Sequence, residues 1–328
     1  MPAVGYGQGA MNKTISICIP VFNEAGNLPA AIGEVEALFK LPALSHHKLE
    51  IIITDNNSSD PTWNTIKSLS ASRPHLKAYR FSRNFGYQNS IFAGLSLATG
   101  DAVIELDADL EDPPLVIPEF IAKWEQGYDV CYGVRRNRHA PLVMRMLFSC
   151  FYRLLGRCSE LAIPQNSGDF RLLDRKVVDI LKNLPERNLY LRGLVSYLGF
   201  KQTAVPYDRD PRRSGSSKFR MFHYMILAMD ALTAFSKTPL RLISLLGLLL
   251  FAGATAVAAY YAIMTLVHGA RAPGFATIVV LMLFLHSITF IFLGIIGEYL
   301  SRIFDDSKKR PRAIIADAVH DDNPPKFL

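Results

Sequence analysis

The chain has 328 residues, half of them hydrophobic, and a net charge of +7. That length leaves room for one large domain with an appendage or for two small ones, and the crowding of apolar residues between Leu240 and Leu300 excludes a uniformly soluble globule. Basic clusters at Arg135-Arg136-Asn137-Arg138, Arg209 to Lys218 and Lys308 to Arg312 flank hydrophobic segments and carry no nucleic-acid-binding motif, so lipid headgroups and phosphates lead as partners and nucleic acid does not.

Residues 1–12 lack the basic and apolar regions of a signal peptide and are expected to form a flexible leader. Thr14 to Val21 is a β-branched run ending in Pro20-Val21-Phe22-Asn23-Glu24, and Leu28, Ile32, Val35 and Phe39 follow at helical spacing. Leu49 to Thr54 predicts a second strand, followed by Asp55-Asn56-Asn57-Ser58-Ser59-Asp60-Pro61, with Asp60 as cap and Pro61 opening a helix. A strand at Ala78 to Phe81, a helix through Ile91 and Leu95, a strand at Ala102 to Leu106, a helix from Pro114 to Glu125 and a strand from Asp129 to Val134 continue the alternation. Strands alternating with helices imply parallel pairing and right-handed crossovers. Ligands then bind at the carboxyl ends of the strands. Cys18 and Cys131 sit in such strand runs, with no C-x-x-C spacing anywhere in the chain. Buried thiols in a reducing compartment are the expectation.

At one of those strand ends, Asp107 and Asp109 stand two apart, which on extended chain places both carboxylates on one face. Magnesium and manganese take such hard oxygen ligands, usually one or two from the protein, and let substrate phosphates complete the shell. An acidic turn capping the helix after Pro113-Pro114 would look the same. Glu24, Asp55, Asn84 and the Asp107–Asp109 pair all fall at strand ends, so four polar clusters converge on one rim.

Past Val134 the alternation weakens. Val143 to Leu155, Val177 to Leu184 and Leu189 to Leu198 predict helices, Asn166 to Arg171 a loop, and Thr203 to Tyr207 a short strand. Residues 219–238 carry Phe219, Phe222, Ile226, Met229 and Leu232 at helical spacing beside Lys218 and Arg220, the pattern of an amphipathic helix lying on a membrane surface. Residues 242–267 and 275–300 are each about 26 residues long and nearly uncharged, enough to span a bilayer. Lys237 and Arg241 on one flank, and Arg302 with Lys308 to Arg312 on the other, put both flanks and the amino-terminal domain in the cytoplasm. The prediction is a multi-pass protein of the inner membrane, with domains at 13–218 and 239–303 and a cytoplasmic tail at 304–328 that is poorly ordered from Ala313. His286, near the middle of the second span, suits helix-to-helix hydrogen bonding.

Pro20-Val-Phe-Asn-Glu24, Asp55 to Thr62, Ser82-Arg-Asn-Phe-Gly86 and Asp107 to Pro114 together resemble the inverting family 2 glycosyltransferases. Gly127-Tyr-Asp-Val130, Gly133-Val-Arg135, Gly168-Asp-Phe-Arg171 and Arg212 to Phe219 narrow the resemblance to the polyprenyl-phosphate branch, which includes bactoprenol glucosyltransferases and dolichyl-phosphate mannose synthases. It runs from about Ile15 to Ile315.

The resemblance implies a GT-A fold, an α/β Rossmann-like domain with a mostly parallel sheet. It implies a nucleotide-sugar donor, UDP-linked first, a polyprenyl phosphate acceptor, membrane lipids as partners and Mg2+ or Mn2+ as cofactor; a homo-oligomer stays open. Pro20, Glu24, Asp55, Asn84 and Asp107 match nucleotide-binding positions. Asp107 and Asp109 match the metal ligands, with Glu111 a third carboxylate beside them. Asp169 matches the aspartate near the sugar and, with Asp107 and Asp109, makes the catalytic set. Arg212 and Lys218 match a basic pair expected at the lipid phosphate, with Arg135 a further candidate. Glu111, Asn56-Asn57 and Tyr87 depart from the family's commoner residues. The resemblance to the bactoprenol glucosyltransferases puts glucose first as the sugar, and these departures keep mannose, aminoarabinose and an N-acetylhexosamine as alternatives. A processive polysaccharide synthase would need more spans and a Q-x-x-R-W motif, and a non-catalytic membrane adaptor would not need intact Asp107, Asp109, Asp169, Arg212 and Lys218.

Overall fold

The computed structural model describes residues 12–136, 167–186, 189–209, 238–268 and 274–328. The chain divides into two compact units. The first is built on an eight-stranded sheet in the order β7-β5-β6-β4-β1-β2-β3-β8. Its elements are β1 (Thr14–Val21), α1 (Leu28–Phe39), β2 (Lys48–Asp55), α2 (Thr62–Ser70), β3 (Leu76–Phe81), α3 (Tyr87–Leu97), β4 (Ala102–Glu105), a 3-10 turn (Pro114–Val116) running into α4 (Ile117–Glu125), β5 (Val130–Arg135), β6 (Ser167–Asp174), α5 (Arg175–Asn183), α6 (Leu191–Tyr197) and β7 (Gln202–Tyr207). The second unit holds two long helices, α7 (Thr238–His268) and α8 (Phe275–Ser307), and the chain then returns to the first unit for β8 (Ile315–Val319).

The alternation in β1 explains why the sheet is covered on both faces. Ile15, Ile17 and Ile19 join Ile51, Ile53 and Ile104 with Ile32 and Val35 of α1, Ile66 of α2 and Phe120 of α4 in one buried core. Each fully buried isoleucine stabilises the fold by roughly 1.5–3 kcal/mol. Cys18 points to the other face, under α3. A Cβ on Gly94 would come within 3.2 Å of the Cys18 Cβ, so the helix sits this close to the sheet because Gly94 has no side chain.

β1, β2, β3 and β4 pair in parallel, and β5 and β7 run parallel to each other. β6 lies antiparallel between β4 and β5. Its amino end therefore meets the carboxyl ends of β4 and β5 on one rim. The sequence predicts a loop at Asn166 to Arg171, and that expectation is corrected: Ser167 to Arg171 opens β6. This end of β6 reads as a loop in the sequence because it lies at the rim beside the carboxyl ends of β4 and β5, where the apolar pattern of a buried strand stops.

A second correction concerns the tail. Instead of a poorly ordered end, β8 pairs antiparallel with β3. Trp63 Nε1 donates to Asp317 Oδ2 at 3.0 Å and Tyr79 Oη to Asp321 Oδ2 at 2.7 Å. The carbonyl of Leu328 accepts from Arg312 N. Ile-Ala-Asp-Ala-Val is short, small and acidic, as an edge strand tends to be, and it gives little hydrophobic signal.

In the second unit, α7 has 31 residues and α8 has 33. Among the described residues one stretch, Phe284–Ser307, is long and apolar enough to cross a membrane. Leu248, Phe251, Leu266, Phe290 and Ile291 are exposed apolar side chains on these helices. The predicted leader at 1–11 and the amphipathic helix at 219–237 lie outside the described residues.

Candidate active site

Three loops at the carboxyl rim are locked together before any carboxylate is placed. Asn23 and Asn57 hold φ near +60°, a conformation asparagine tolerates better than most residues. Asn23 Oδ1 accepts from Ser59 N at 2.8 Å, and Asn23 N donates to Ser58 Oγ at 2.9 Å, tying the loop after β1 to the loop after β2. Asn56 Nδ2 donates to Asn84 Oδ1 at 3.0 Å, and Phe85 N to Asn56 Oδ1 at 2.8 Å, adding the loop after β3. Asn56 thus holds the turn.

The predicted nucleotide-binding residues line this corner. Pro20 is the penultimate residue of β1, opposite Thr54 of β2. Asp55 is fully buried; its Oδ1 accepts from Ser58 N at 2.9 Å, and its Oδ2 meets Arg80 Nε at 3.4 Å. Glu24 accepts from Asn27 Nδ2 at 2.7 Å within its own loop. Asn84 Oδ1 also accepts from Gly86 N at 2.8 Å, and the residue is exposed at the rim.

The acidic end of β4 lies beside them. Asp107 Oδ1 accepts a 2.7 Å hydrogen bond from Tyr87 Oη, at the start of α3. Its pKa is pushed up to about 7, first by burial and then by the charges of Asp109, Asp112 and Asp169, against the Tyr87 hydrogen bond. Asp109 Oδ1 accepts from Glu111 N at 3.1 Å in a turn where Leu110 has φ +56°. Two strand residues inward, Glu105 is buried and its Oε1 makes no hydrogen bond; burial and the nearby Asp169 charge hold it well above the ordinary carboxylate range.

Glu105 pairs with Arg171 across the β4–β6 ladder. Continuing two residues beyond that pair brings Asp107 beside Asp169, which is why Asp169 acts on Asp107 electrostatically. Asp169 is clamped by Arg192 of α6, with Nε to Oδ1 and Nη2 to Oδ2 both at 2.7 Å. Arg171 Nη2 lies 3.5 Å away, with its other bonds to the Gly168 and Asp169 carbonyls. Burial alone would raise the Asp169 pKa, but Arg192 and then Arg171 hold it below the ordinary value. Arg171 is near Asp169 in the sequence, whereas nothing local points to Arg192, since only the fold brings α6 to the start of β6.

Two candidates meet partners within the protein. Arg135 was a candidate for lipid phosphate, but its Nη2 lies 3.1 Å from Asp112 Oδ2 and its Nε donates to Tyr207 Oη at 3.2 Å. Asp112 is buried and also accepts from Tyr207 Oη at 2.6 Å. Arg135 therefore neutralises a buried carboxylate rather than standing free for a ligand, and that pairing raises its pKa against the pull of burial. Gly133 belongs to this arrangement, because a Cβ there would come within 2.5 Å of the Tyr207 ring. Glu111, the possible third metal ligand, forms an ion pair with Arg209, whose Nε also lies 3.4 Å from Asp112 Oδ1. Its charge is already matched. Arg212 and Lys218 lie outside the described residues.

Residues 16–181 match the model of glycosyl transferase family 2. An uncharacterized glycosyltransferase of Synechocystis, sll0501, is 38% identical over 94% of this chain and 96% of its own length. The chain belongs to glycosyl transferase family 2. The bactoprenol glucosyl transferase of Shigella phage SfV is 38% identical over 92% of this chain and 97% of that one. A solved structure, the Pyrobaculum calidifontis mannosyltransferase PcManGT in complex with GDP-Man and Mn2+, aligns over 87% of this chain and 88% of that chain, with 15% identity and a TM-score of 0.43. That likeness is too loose to carry residue roles across. This family 2 chain is a glycosyltransferase, and its fold is GT-A, as its sequence motifs predict.

Proposed function

We propose that this enzyme transfers a hexose, glucose first, from a UDP-linked donor to undecaprenyl or a related polyprenyl phosphate, with inversion at the anomeric carbon. The observation that carries the reading is the meeting of two acidic strand ends at one rim: Asp107 and Asp109 after β4, and Asp169 at the start of β6. The acceptor and the sugar are suggested by the name of the phage relative, which aligns along nearly its whole length.

Asp107 and Asp109 suit a hard divalent cation, Mg2+ or Mn2+. They are oxygen donors, and Asp107, whose pKa is raised first by burial and then by its acidic neighbours, has no arginine or lysine partner among the described residues. Such a cation, when bound, would act as a Lewis acid on the diphosphate leaving group. The chain's own residues do the rest. Pro20, Glu24, Asp55 and Asn84 hold the nucleoside end. Arg212 and Lys218 aim the acceptor phosphate. A phosphate monoester has a second pKa of about 6 and is largely ionised at neutral pH, so it needs aiming more than deprotonation. A low-pKa aspartate gripped by an arginine is a poor proton acceptor. Asp169 is therefore a fixed negative charge that orients the sugar.

We place the enzyme in the inner membrane with its sheet on the cytoplasmic side and α7 and α8 as two crossings. The return of the chain into the sheet at β8 supports an even number of crossings, and the basic flanks support the orientation.

The test is sugar transfer from radiolabelled UDP-glucose to undecaprenyl phosphate by the purified full-length protein. EDTA should abolish transfer and Mn2+ or Mg2+ restore it. Asp109→Asn should cost at least about a hundredfold in rate, on the order of 3 kcal/mol of barrier, without affecting membrane insertion. Transfer indifferent to chelation would overturn the metal assignment, and transfer confined to water would overturn the acceptor.

A further inference from the structure

The rim opposite the active site carries a second cluster of ligand-type side chains. The connection between α1 and β2 delivers His46 and His47 to the amino end of β2, and α4 ends at Glu125 beside them. His47 Nε2 lies 3.4 Å from Glu125 Oε1, and His46 Nε2 lies 3.9 Å from the same oxygen. All three ligand atoms fall within 4.8 Å of one another, and the two imidazole centroids are 4.0 Å apart. The His47 side chain is fully buried, yet neither of its ring nitrogens makes a well-formed hydrogen bond, and neither does His46 Nε2.

A buried polar group left without a partner costs about 1–3 kcal/mol. His46 Nε2 and His47 Nε2, gathered at one carboxylate, point to a shared ligand. A neutral imidazole is the form that binds metals.

We propose that His46, His47 and Glu125 form a second metal site, distinct from Asp107 and Asp109, that takes Zn2+ through two imidazole nitrogens and one carboxylate oxygen. The donor set selects the metal, since imidazole suits zinc whereas magnesium and manganese favour oxygen shells. Zinc–ligand bonds of about 2.0–2.2 Å in a tetrahedron place ligand atoms roughly 3.3 Å apart. The His47–Glu125 contact at 3.4 Å is already close to that spacing, whereas the 3.9 Å His46–Glu125 contact and the two histidine nitrogens, within 4.8 Å of each other, would draw in around the ion. The Glu125 side chain is 33% exposed, which leaves a fourth position open to water. The site is a clip: it ties the loop entering β2 to the carboxyl end of α4, and it stands at the opposite ends of the strands from the acidic rim.

Full-length protein without a histidine tag, stripped of metal and then titrated with Zn2+ alone, tests the site. Wild type should bind one Zn2+ that resists added Mg2+, and Co2+ in its place should give the visible bands of a tetrahedral site. His46→Gln and Glu125→Gln change partly exposed side chains and leave the core intact. Each should weaken Zn2+ binding by about tenfold or more, whereas Asp109→Asn should leave it unchanged. The site is overturned if wild type binds no Zn2+ at micromolar concentration, or if the His46→Gln/Glu125→Gln double variant binds it as tightly as wild type. Loss of Zn2+ in Asp109→Asn alone would place the ion at the acidic rim and also overturn it.

Discussion

At the scale of single residues, the pairing of Asp169 with Arg192 decides how the site works. An aspartate meant to take a proton is kept protonatable by burial without a cation; here a bidentate guanidinium does the opposite. Removing Arg192 leaves the buried carboxylate only the longer 3.5 Å contact with Arg171; breaking a buried pair outright costs about 3–5 kcal/mol. The lower end applies, because the Arg192 side chain is 27% exposed. Arg192→Met should therefore lower the unfolding temperature markedly, and Asp169→Asn added to it should recover much of the loss. Thermal unfolding of the two single variants and the double variant checks this. A double variant no more stable than Arg192→Met would mean that the buried charge is not the source of the cost.

Elements carry a second charge-dependent tie, away from the active site. Glu50 of β2 accepts from Ser16 Oγ of β1 at 2.5 Å, from Thr99 N and Thr99 Oγ1 at 2.8 Å, and from Lys77 Nζ of β3 at 3.0 Å. One carboxylate thus joins three strands and the turn before β4. Burial would raise its pKa, but these hydrogen bonds outweigh burial and bring it below its ordinary 4.5. A folded-state pKa below the unfolded one means that the stabilisation is full above about 4.5 and is lost as pH falls through the folded value. Glu50→Gln should cost about 1.5–3 kcal/mol at pH 7, and the gap from wild type should narrow at an acid pH below the folded pKa. Unfolding measured at both pH values reads the difference, and a gap independent of pH would refute the role of the charge.

The same scale shows what the sequence made legible. β1 to β4 are visible because apolar runs end abruptly in Asn23-Glu24, Asp55-Asn56, Ser82-Arg83-Asn84 and Asp107-Ala108-Asp109, so the rim and the metal-type pair can be found before any coordinates. β6 is hidden because its rim end is polar, and β8 because its short acidic run needs only one partner strand. The groups that neutralise the site are hidden for a related reason. Arg192, Arg135 and Arg209 reach Asp169, Asp112 and Glu111 through strand register and helix placement, and no spacing in the chain records those approaches.

For the whole molecule, β8 changes how the membrane segment can be removed. A chain cut after Lys237 loses α7 and α8 and, with them, the strand that covers β3 and the acceptors of the Trp63 and Tyr79 hydrogen bonds. An uncovered strand edge invites pairing with other chains, so that truncation should aggregate. Replacing residues 238–307 with a flexible glycine–serine linker keeps β8 attached and removes only the two helices. The linker variant should stay monodisperse in light scattering, bind UDP, and transfer sugar to a short-chain, water-soluble prenyl phosphate. Its use of undecaprenyl phosphate in vesicles should fall by at least about tenfold, because tethering raises the effective concentration of a site at the surface where its acceptor lies. Undiminished use of the vesicle-bound acceptor would show that the helices do not serve to bring the rim to the lipid. Equal aggregation of the two variants would show that β8 does not protect the sheet edge.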